Sequence, residues 1–290
     1  MRLLEAAKKP LSIEELGMFQ KTAKIVSDNL KKSYGMILSC GPTGSGKTTT
    51  LYALMNILNK PNVNIVSVED PIEYNMRYVN QSQVNAAAGI TFASGLRAFL
   101  RQDPNIIMVG EIRDKETVDI AVQAALTGHL LLSSLHTNDA PTAVPRLFDL
   151  DVPAFLVLST LNLIIAQRLV RKVCQSCIYS YEAGPEVIKT ITDELKKINI
   201  PEGVALPKTL YRGKGCPVCG FIGYRGRLGI FEVLETTEPI KQIIGDSSFN
   251  LDKLKEEARK EGMDTMFEDG LKKVELGMTS IEEILRVMKE

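Results

Sequence analysis

The chain has 290 residues, 44% of them hydrophobic, and its 35 basic side chains are balanced by 35 acidic ones. That length and apolar content exclude a disordered or fibrous protein and allow one large domain or two to three smaller ones. No secretory signal pattern is read at its start, and the longest run poor in charge, residues 153–167, carries Ser159, Thr160 and Asn162 and is too short to span a bilayer; a soluble, intracellular protein is expected.

Residues 1–34 read as a mostly helical lead-in, in which Leu11-Ser12-Ile13-Glu14-Glu15-Leu16-Gly17 forms a capped turn before a helix through Lys31. An apolar run at 36–40 is followed by GPTGSGKT at 41–48 and by a helix-forming run to Leu58. The spacing G-x-x-x-x-G-K-[ST], set between strand and helix, is a phosphate-binding loop. Side chains at Gly41 and Gly46 would stop the backbone N–H groups from closing around a β-phosphate. Lys47 then reaches the β- and γ-phosphates, and the Thr48 hydroxyl is placed to ligate Mg²⁺. The helix starting near Lys47 points its positive end at the same anion. The candidate nucleotide-binding set is Gly41, Pro42, Thr43, Gly44, Ser45, Gly46, Lys47, Thr48 and Thr49.

Beyond the loop, β-type runs at 65–68, 106–109 and 130–135 alternate with helical spacing at 92–101, 115–126 and 140–149. The alternation predicts a three-layer α/β core over 35–170 with a largely parallel sheet, in which ligands collect where strands end and helices begin. The runs end in Glu69-Asp70-Pro71-Ile72-Glu73, in Gly110-Glu111 and in His136-Thr137-Asn138-Asp139. As a set these residues suit a ring around one nucleotide; any one of them alone is also what a loop start looks like. A GTPase would need N-K-x-D, and Asn59-Lys60-Pro61-Asn62 lacks the aspartate; a transporter-type signature resembling L-S-G-G-Q is missing too. The third run ends in Gly-Glu where Asp-Glu is more usual, and Glu111 can hold Mg²⁺ through water or polarise the attacking water.

From Arg168 the texture changes. Residues 168–227 carry 11 basic against 5 acidic side chains, and residues 228–290 carry 9 against 15. The basic excess can offset a metal–thiolate cluster and the acidic tail, or meet nucleic acid or anionic headgroups. Cys174-x-x-Cys177 and Cys216-x-x-Cys219 supply four thiolates, the number tetrahedral zinc takes, within a module at 171–227. A redox dithiol pair is the other reading. Cys40, in the strand before the loop, is read as a buried thiol. Residues 191–206, with a helical beginning and a Pro201-Glu202-Gly203 break, read as an insertion carried on the knuckles. The remainder, 228–290, is predicted helical from Phe231 onward: Leu251, Leu254 and Ala258 share a face, a second helix begins at 263–266 and stops near Gly277, and Thr279-Ser280-Ile281 caps a last one.

Several stretches resemble one family. LRQDPNIIMVGEIRD at 100–114 is similar to the signature of the ATPases that drive type II secretion and type IV pilus assembly. VEDPIEY at 68–74 resembles that family's aspartate box, TGHLLLSSLHTNDA at 127–140 its histidine box, and AQRLVRKVC at 166–174 the entry to its metal-binding module. EGMDTMFEDGLKKVELGMTSIEEILRV, near the end, is similar to its C-terminal helices. The likeness runs in family order from about Leu11 onward.

The resemblance implies a RecA-like phosphate-loop NTPase that hydrolyses ATP with Mg²⁺ between subunits of a ring, a homo-hexamer. Glu73 would activate water, Glu111 would hold the Mg²⁺ shell and His136 would sense the γ-phosphate. Arg97, Arg101 and Arg113 are candidates to neutralise phosphate charge, a surface salt bridge being the alternative for each. Zn²⁺ on Cys174, Cys177, Cys216 and Cys219 is implied to be structural, and such knuckles mark assembly and export members rather than retraction members. The implied partners are an inner-membrane platform and recruiting proteins, met at the cytoplasmic face, with no nucleic acid. Two features depart from the pattern: Asn105 stands where aspartate is usual, and Met1 lies close before the first core strand, where the family carries a large N-terminal region that supplies arginines to the site. The chain is therefore expected to be an excised C-terminal region, a truncated product or the partner of a separate N-terminal half. A ring helicase and a nucleotide-binding scaffold with little turnover are the alternatives. Against the helicase, Tyr179, Tyr181, Tyr211, Phe221 and Tyr224 are too widely spread to interleave with the basic residues.

Overall fold

A computed structural model describes residues 11–197 and 207–289. In chain order the elements are α1 (Ile13–Leu16), α2 (Gln20–Asn29), β1 (Gly35–Cys40), α3 (Lys47–Leu58), β2 (Ile65–Glu69), β3 (Val79–Gln83), α4 (Phe92–Phe99), β4 (Ile106–Val109), α5 (Lys115–Leu126), β5 (Leu130–Leu135), α6 (Ala143–Asp149) and α7 (Ala154–Thr160). They continue with β6 (Leu161–Val173), β7 (Ile178–Glu182), α8 (Pro185–Lys197), β8 (Thr209–Gly213), β9 (Tyr224–Glu235), α9 (Glu238–Gly245), α10 (Leu251–Lys260), α11 (Met266–Glu275) and α12 (Ile281–Lys289). The chain divides into two compact units, one of Met1–Gln167 with Glu232–Met263, the other of Arg168–Phe231 with Asp264–Glu290.

The first unit is built on a seven-stranded sheet of order β3-β2-β4-β5-β1-β6-β9, whose last two strands continue along the chain into the second unit. Strands β3, β2, β4, β5, β1 and β6 pair in parallel. Every residue of β1, β2, β4 and β5 is buried. Such strands need cover on both faces, which is why they read as mainly apolar runs, broken by Ser39, Ser67, Glu69, Ser133 and Ser134, rather than as alternating ones. Helix caps fix where the covering helices begin. Ser12 and Glu15 form a capping box at α1, and the Asp114 carboxylate accepts the Thr117 N–H at 2.8 Å to start α5.

The second unit holds the β7–β8 antiparallel hairpin, paired from Ile178↔Gly213 to Glu182↔Thr209, together with α8, α11 and α12. Its helix α11 starts at a Thr265–Glu268 capping box. Its interior contains a buried ion pair, Lys273 Nζ to Asp269 Oδ2 at 2.5 Å, with Lys273 also donating to Gly229 O at 2.8 Å.

Several elements differ from the sequence expectation. Residues 231–235, expected to be helical, extend β9, because Ile230, Phe231, Val233 and Leu234 are buried in a strand. Strands β3, β6, β7 and β8 and helix α7 lie outside the elements expected from the sequence. Helix α8 starts at Pro185, earlier than the expected helical beginning at 191; residues 198–206, with the Pro201-Glu202-Gly203 break, lie outside the described residues. The helical tail also divides: α9 and α10 belong with the first unit, α11 and α12 with the second.

Candidate active site and metal centre

Parallel pairing puts the carboxyl ends of β2, β4, β5 and β1 side by side. Cys40 pairs with Leu135, so the loop that follows β1 starts beside His136; Val68 pairs with Val109, so Glu69 lies beside Gly110 and Glu111. Serine side chains fasten these ends, Ser133 Oγ donating to Val109 O and Ser134 Oγ to Gly110 O, each at 2.7 Å.

The loop at 41–48 has the backbone that its glycines predict. Gly46 caps α3 with φ of +93°, a left-handed value that an L side chain resists. Gly41 has φ of +146°, and a Cβ there would come within 2.5 Å of both Gln167 O and Ser45 Oγ. Lys47 lies over the loop, its ammonium donating to Gly41 O at 2.7 Å and Pro42 O at 3.1 Å. Burial pulls its pKa down, while Cys40 and the Glu111 carboxylate pull it back up. Thr48 and Thr49 are exposed at the first turn of α3, and Ser45 Oγ is buried with no hydrogen-bond partner among the described residues. The residues present therefore fit a phosphate group, with free N–H groups at a helix start, a lysine, an open threonine hydroxyl and a cradle that a Cβ would fill.

Glu111, next to the end of β4, gathers two of the other candidates. Its carboxylate accepts from His136 Nε2 at 3.1 Å and pairs with the Arg113 guanidinium. That hydrogen bond raises the Arg113 pKa against the opposing effect of burial, and Asp70 adds to it. Glu73 sits on the β2–β3 connection, and its backbone N–H donates to the Tyr52 hydroxyl at 3.2 Å. Arg97 is elsewhere, held by Glu116 at 2.8 Å, and Arg101 is exposed with no carboxylate partner among the described residues. Cys40 is fully buried, and burial pushes its thiol up to about 12, as an inert core thiol requires.

Some residues that shape this site were not among the candidate site residues of the sequence. Gln167 is buried and donates to Ser45 O at 2.9 Å, bracing the loop; the sequence signal was one polar residue closing an apolar run. Glu232 Oε1 accepts from Ala140 N–H at 2.8 Å, and Lys255 pairs with Asp139 at 3.1 Å. They hold the segment after His136 from 92 and 116 residues away, which no local pattern reveals. Buried Glu69 and Tyr52 complete the list.

In the second unit all four ligand sulfurs of Cys174, Cys177, Cys216 and Cys219 lie within 4.8 Å of one another. The pairs Cys174–Cys216 and Cys177–Cys219 are 3.9 Å apart and Cys216–Cys219 3.8 Å. Tetrahedral zinc with Zn–S bonds of about 2.3 Å needs sulfurs about 3.8 Å apart, so the cluster fits it. Disulfide-bonded sulfurs would be about 2 Å apart. Burial opposes ionisation of Cys219, but N–H groups of Cys216 and Gly223, at 3.2 and 3.3 Å, together with the Cys216 and Cys177 side chains, outweigh it and lower its pKa. Burial and its thiol neighbours push Cys177 up to about 12. Four thiolates can coexist here only around a cation.

A family model described as type II/IV secretion system protein matches residues 1–286. The chain belongs to this family. It is 45% identical over 290 residues to type II secretion system protein E of Pseudomonas aeruginosa, covering 100% of this chain and 56% of that protein. It is 44% identical over 290 residues to the type IV pilus assembly ATPase PilB of the same organism, covering 100% of this chain and 50% of that protein. The chain thus spans about half the length of the curated relatives it matches. Among solved structures, the pilus retraction motor PilT with bound ADP aligns with a TM-score of 0.70 and 28% identity, over 97% of this chain and 68% of that one. The α/β fold with a mainly parallel sheet is therefore the fold of this secretion family. Among the described residues no helix is long and apolar enough to cross a membrane.

Proposed function

We propose that this member of the type II/IV secretion family is the ATP-hydrolysing part of a secretion or pilus-assembly motor. The observation that carries the proposal is the alignment of four adjacent strand ends, after which follow the loop at 41–48, the Glu73 segment, Glu111 and His136, at the carboxyl end of a parallel sheet. In this reading the ATP phosphates lie on Gly41–Thr48, and Lys47 leaves the loop carbonyls to neutralise the β- and γ-phosphates. Thr48 and Glu111 would hold Mg²⁺, which when bound neutralises charge on the transferred phosphoryl group. Glu73 takes the proton of the attacking water. Arg113 adds positive charge, and His136, tied to Glu111, registers loss of the γ-phosphate. Arg97 and Arg101 are proposed for contacts between subunits.

Zinc on the four cysteines would be a closed structural site with no position for substrate. The knuckles, together with the identity to protein E and PilB, favour assembly or export over retraction. A hexameric ring bound peripherally at the cytoplasmic face of the inner membrane, working on platform and recruiting proteins, completes the proposal.

Two isosteric changes test the site. Glu73→Gln should keep ATP binding and lose most turnover, since an amide cannot accept a proton at neutral pH. Glu111→Gln should lower turnover with a larger change in Mg²⁺ dependence. If Glu73→Gln is as active as the parent while Glu111→Gln is dead, the two roles must be exchanged.

A further inference from the structure

Glu69, the last residue of β2, is only 2% exposed, and Tyr52, on α3, is fully buried beside it. A carboxylate in such a place is costly unless its oxygens are satisfied. Ser67 Oγ donates to Oε1 at 2.6 Å, Gln81 Nε2 to the same oxygen at 3.0 Å, and the Tyr52 hydroxyl to Oε2. Because its proton is directed at Glu69, the Tyr52 hydroxyl can offer only lone pairs elsewhere. One is taken by the backbone N–H of Glu73 at 3.2 Å.

The rest of the segment is attached to the same network. Gln81 Oε1 accepts from Met76 N–H at 2.7 Å, and Gln81 Nε2 reaches Tyr74 O at 3.3 Å. The Tyr74 ring meets the Tyr52 ring edge-on with centroids 4.6 Å apart. Tyr52 lies on the helix that begins at Lys47, so a single hydroxyl joins the phosphate-loop helix to the Glu73 backbone.

We infer that Tyr52 is a positioning residue for Glu73: its hydroxyl, oriented by Glu69, hangs the Glu73 backbone from α3 and sets where that carboxylate stands relative to the phosphate loop. The inference rests on the reading of Glu73 as the base. If the network served only to satisfy Glu69, loss of the hydroxyl would lower stability and leave turnover untouched.

Tyr52→Phe removes the hydroxyl and keeps the ring, its burial and its edge contact with Tyr74. Misplacing a catalytic group by an ångström can cost up to about a hundredfold, and a fall in kcat of about tenfold is expected for this smaller displacement, with KM for ATP and ADP affinity within about twofold of the parent. Gln81→Met, on a strand at the sheet edge, releases Met76 and Tyr74, leaves Ser67 as the donor to Glu69 Oε1, keeps the Tyr52 hydroxyl on the Glu73 N–H, and should lower kcat in the same direction, by less. In a Glu73→Gln background, Tyr52→Phe should not lower the residual single-turnover rate further. Parental kcat in both Tyr52→Phe and Gln81→Met, beside an inactive Glu73→Gln, would overturn the positioning role while sparing the base. Equal losses of kcat and ADP affinity, or a further loss in the Glu73→Gln background, would also overturn it. Parental turnover by Glu73→Gln itself would instead remove the base reading on which the inference stands.

Discussion

In the unit that carries the phosphate loop, whole strands are buried residue by residue, and the buried carboxylate of Glu69 is held by neutral donors, Tyr52, Ser67 and Gln81. In the unit that carries the four cysteines the buried carboxylates face cations. Asp269 is paired with Lys273, and Glu283, its side chain 1% exposed, accepts from Arg171 at 2.6 Å and Arg286 at 3.1 Å. A large apolar core leaves the first unit free to use its polar groups for geometry at the carboxyl end of the sheet. The second unit has less interior and relies on charge pairing and on a thiolate cluster that needs a cation. Changes in the first should therefore show mainly in turnover, and changes in the second mainly in stability.

The largest effect is expected at the cysteines. The parent should contain about one zinc per chain, and Cys174→Ser or Cys216→Ser should lose it, with destabilisation confined to the second unit and nucleotide binding retained. Apparent zinc contributions in small modules reach about 10–16 kcal/mol, so the variant unit should unfold at temperatures where the parent is native. Metal analysis and a two-transition thermal melt read both outcomes; a metal-free parent with reactive thiols would favour the redox reading instead.

Next in size is the buried pair. Burial pushes the Asp269 pKa up and the Lys273 pKa down, while each charge pulls the other back toward ionisation. Asp269→Ala leaves the ammonium without its counter-charge and should cost about 3–5 kcal/mol. Replacing both, as Asp269→Leu with Lys273→Met, should cost much less, since well-packed apolar residues substitute for buried pairs at little penalty. Denaturant midpoints of the single and double variants give the comparison, and a double variant as unstable as the single one would mean that the pair is not the source.

A smaller, pH-dependent effect belongs to Glu283. Burial raises its pKa, but hydrogen bonds from Arg171 and Arg286 outweigh this and depress it from 4.5 to about 2. A depressed carboxylate contributes stability that is complete above the unfolded pKa and is lost as pH falls through the folded one. The contribution is about 3 kcal/mol at neutral pH, disappearing between about pH 5 and 2. Zinc release also weakens the parent in acid, so the difference between parent and Glu283→Gln is the quantity to follow; it should shrink as pH falls, and a constant difference would contradict the assignment.

What the sequence made legible follows the same division. Helix α5 is readable to its ends because Asp114 caps it and its apolar spacing is helical, and β4 and β5 because fully buried parallel strands are short, mainly apolar runs. Strand β6 was not, since Leu161-Asn162-Leu163-Ile164-Ile165-Ala166 fits a buried helix as well as a strand, and its partner β1 lies over a hundred residues earlier. Residues 231–235 were misread for the same reason. At the site, the loop at 41–48 was explicit because its chemistry demands fixed residue types at fixed spacing. Gln167, Glu232 and Lys255 were hidden because they act through long-range contacts, and Tyr52 because a tyrosine in an apolar helix reads as core.

The most direct test measures phosphate release and nucleotide binding on the same samples of the parent and Lys47→Ala. The account predicts Mg²⁺-dependent turnover in the parent, none in the variant together with much weaker ATP binding, and the same zinc content in both. Unchanged turnover in Lys47→Ala would contradict it, because the loop at 41–48 would then not be where ATP is hydrolysed.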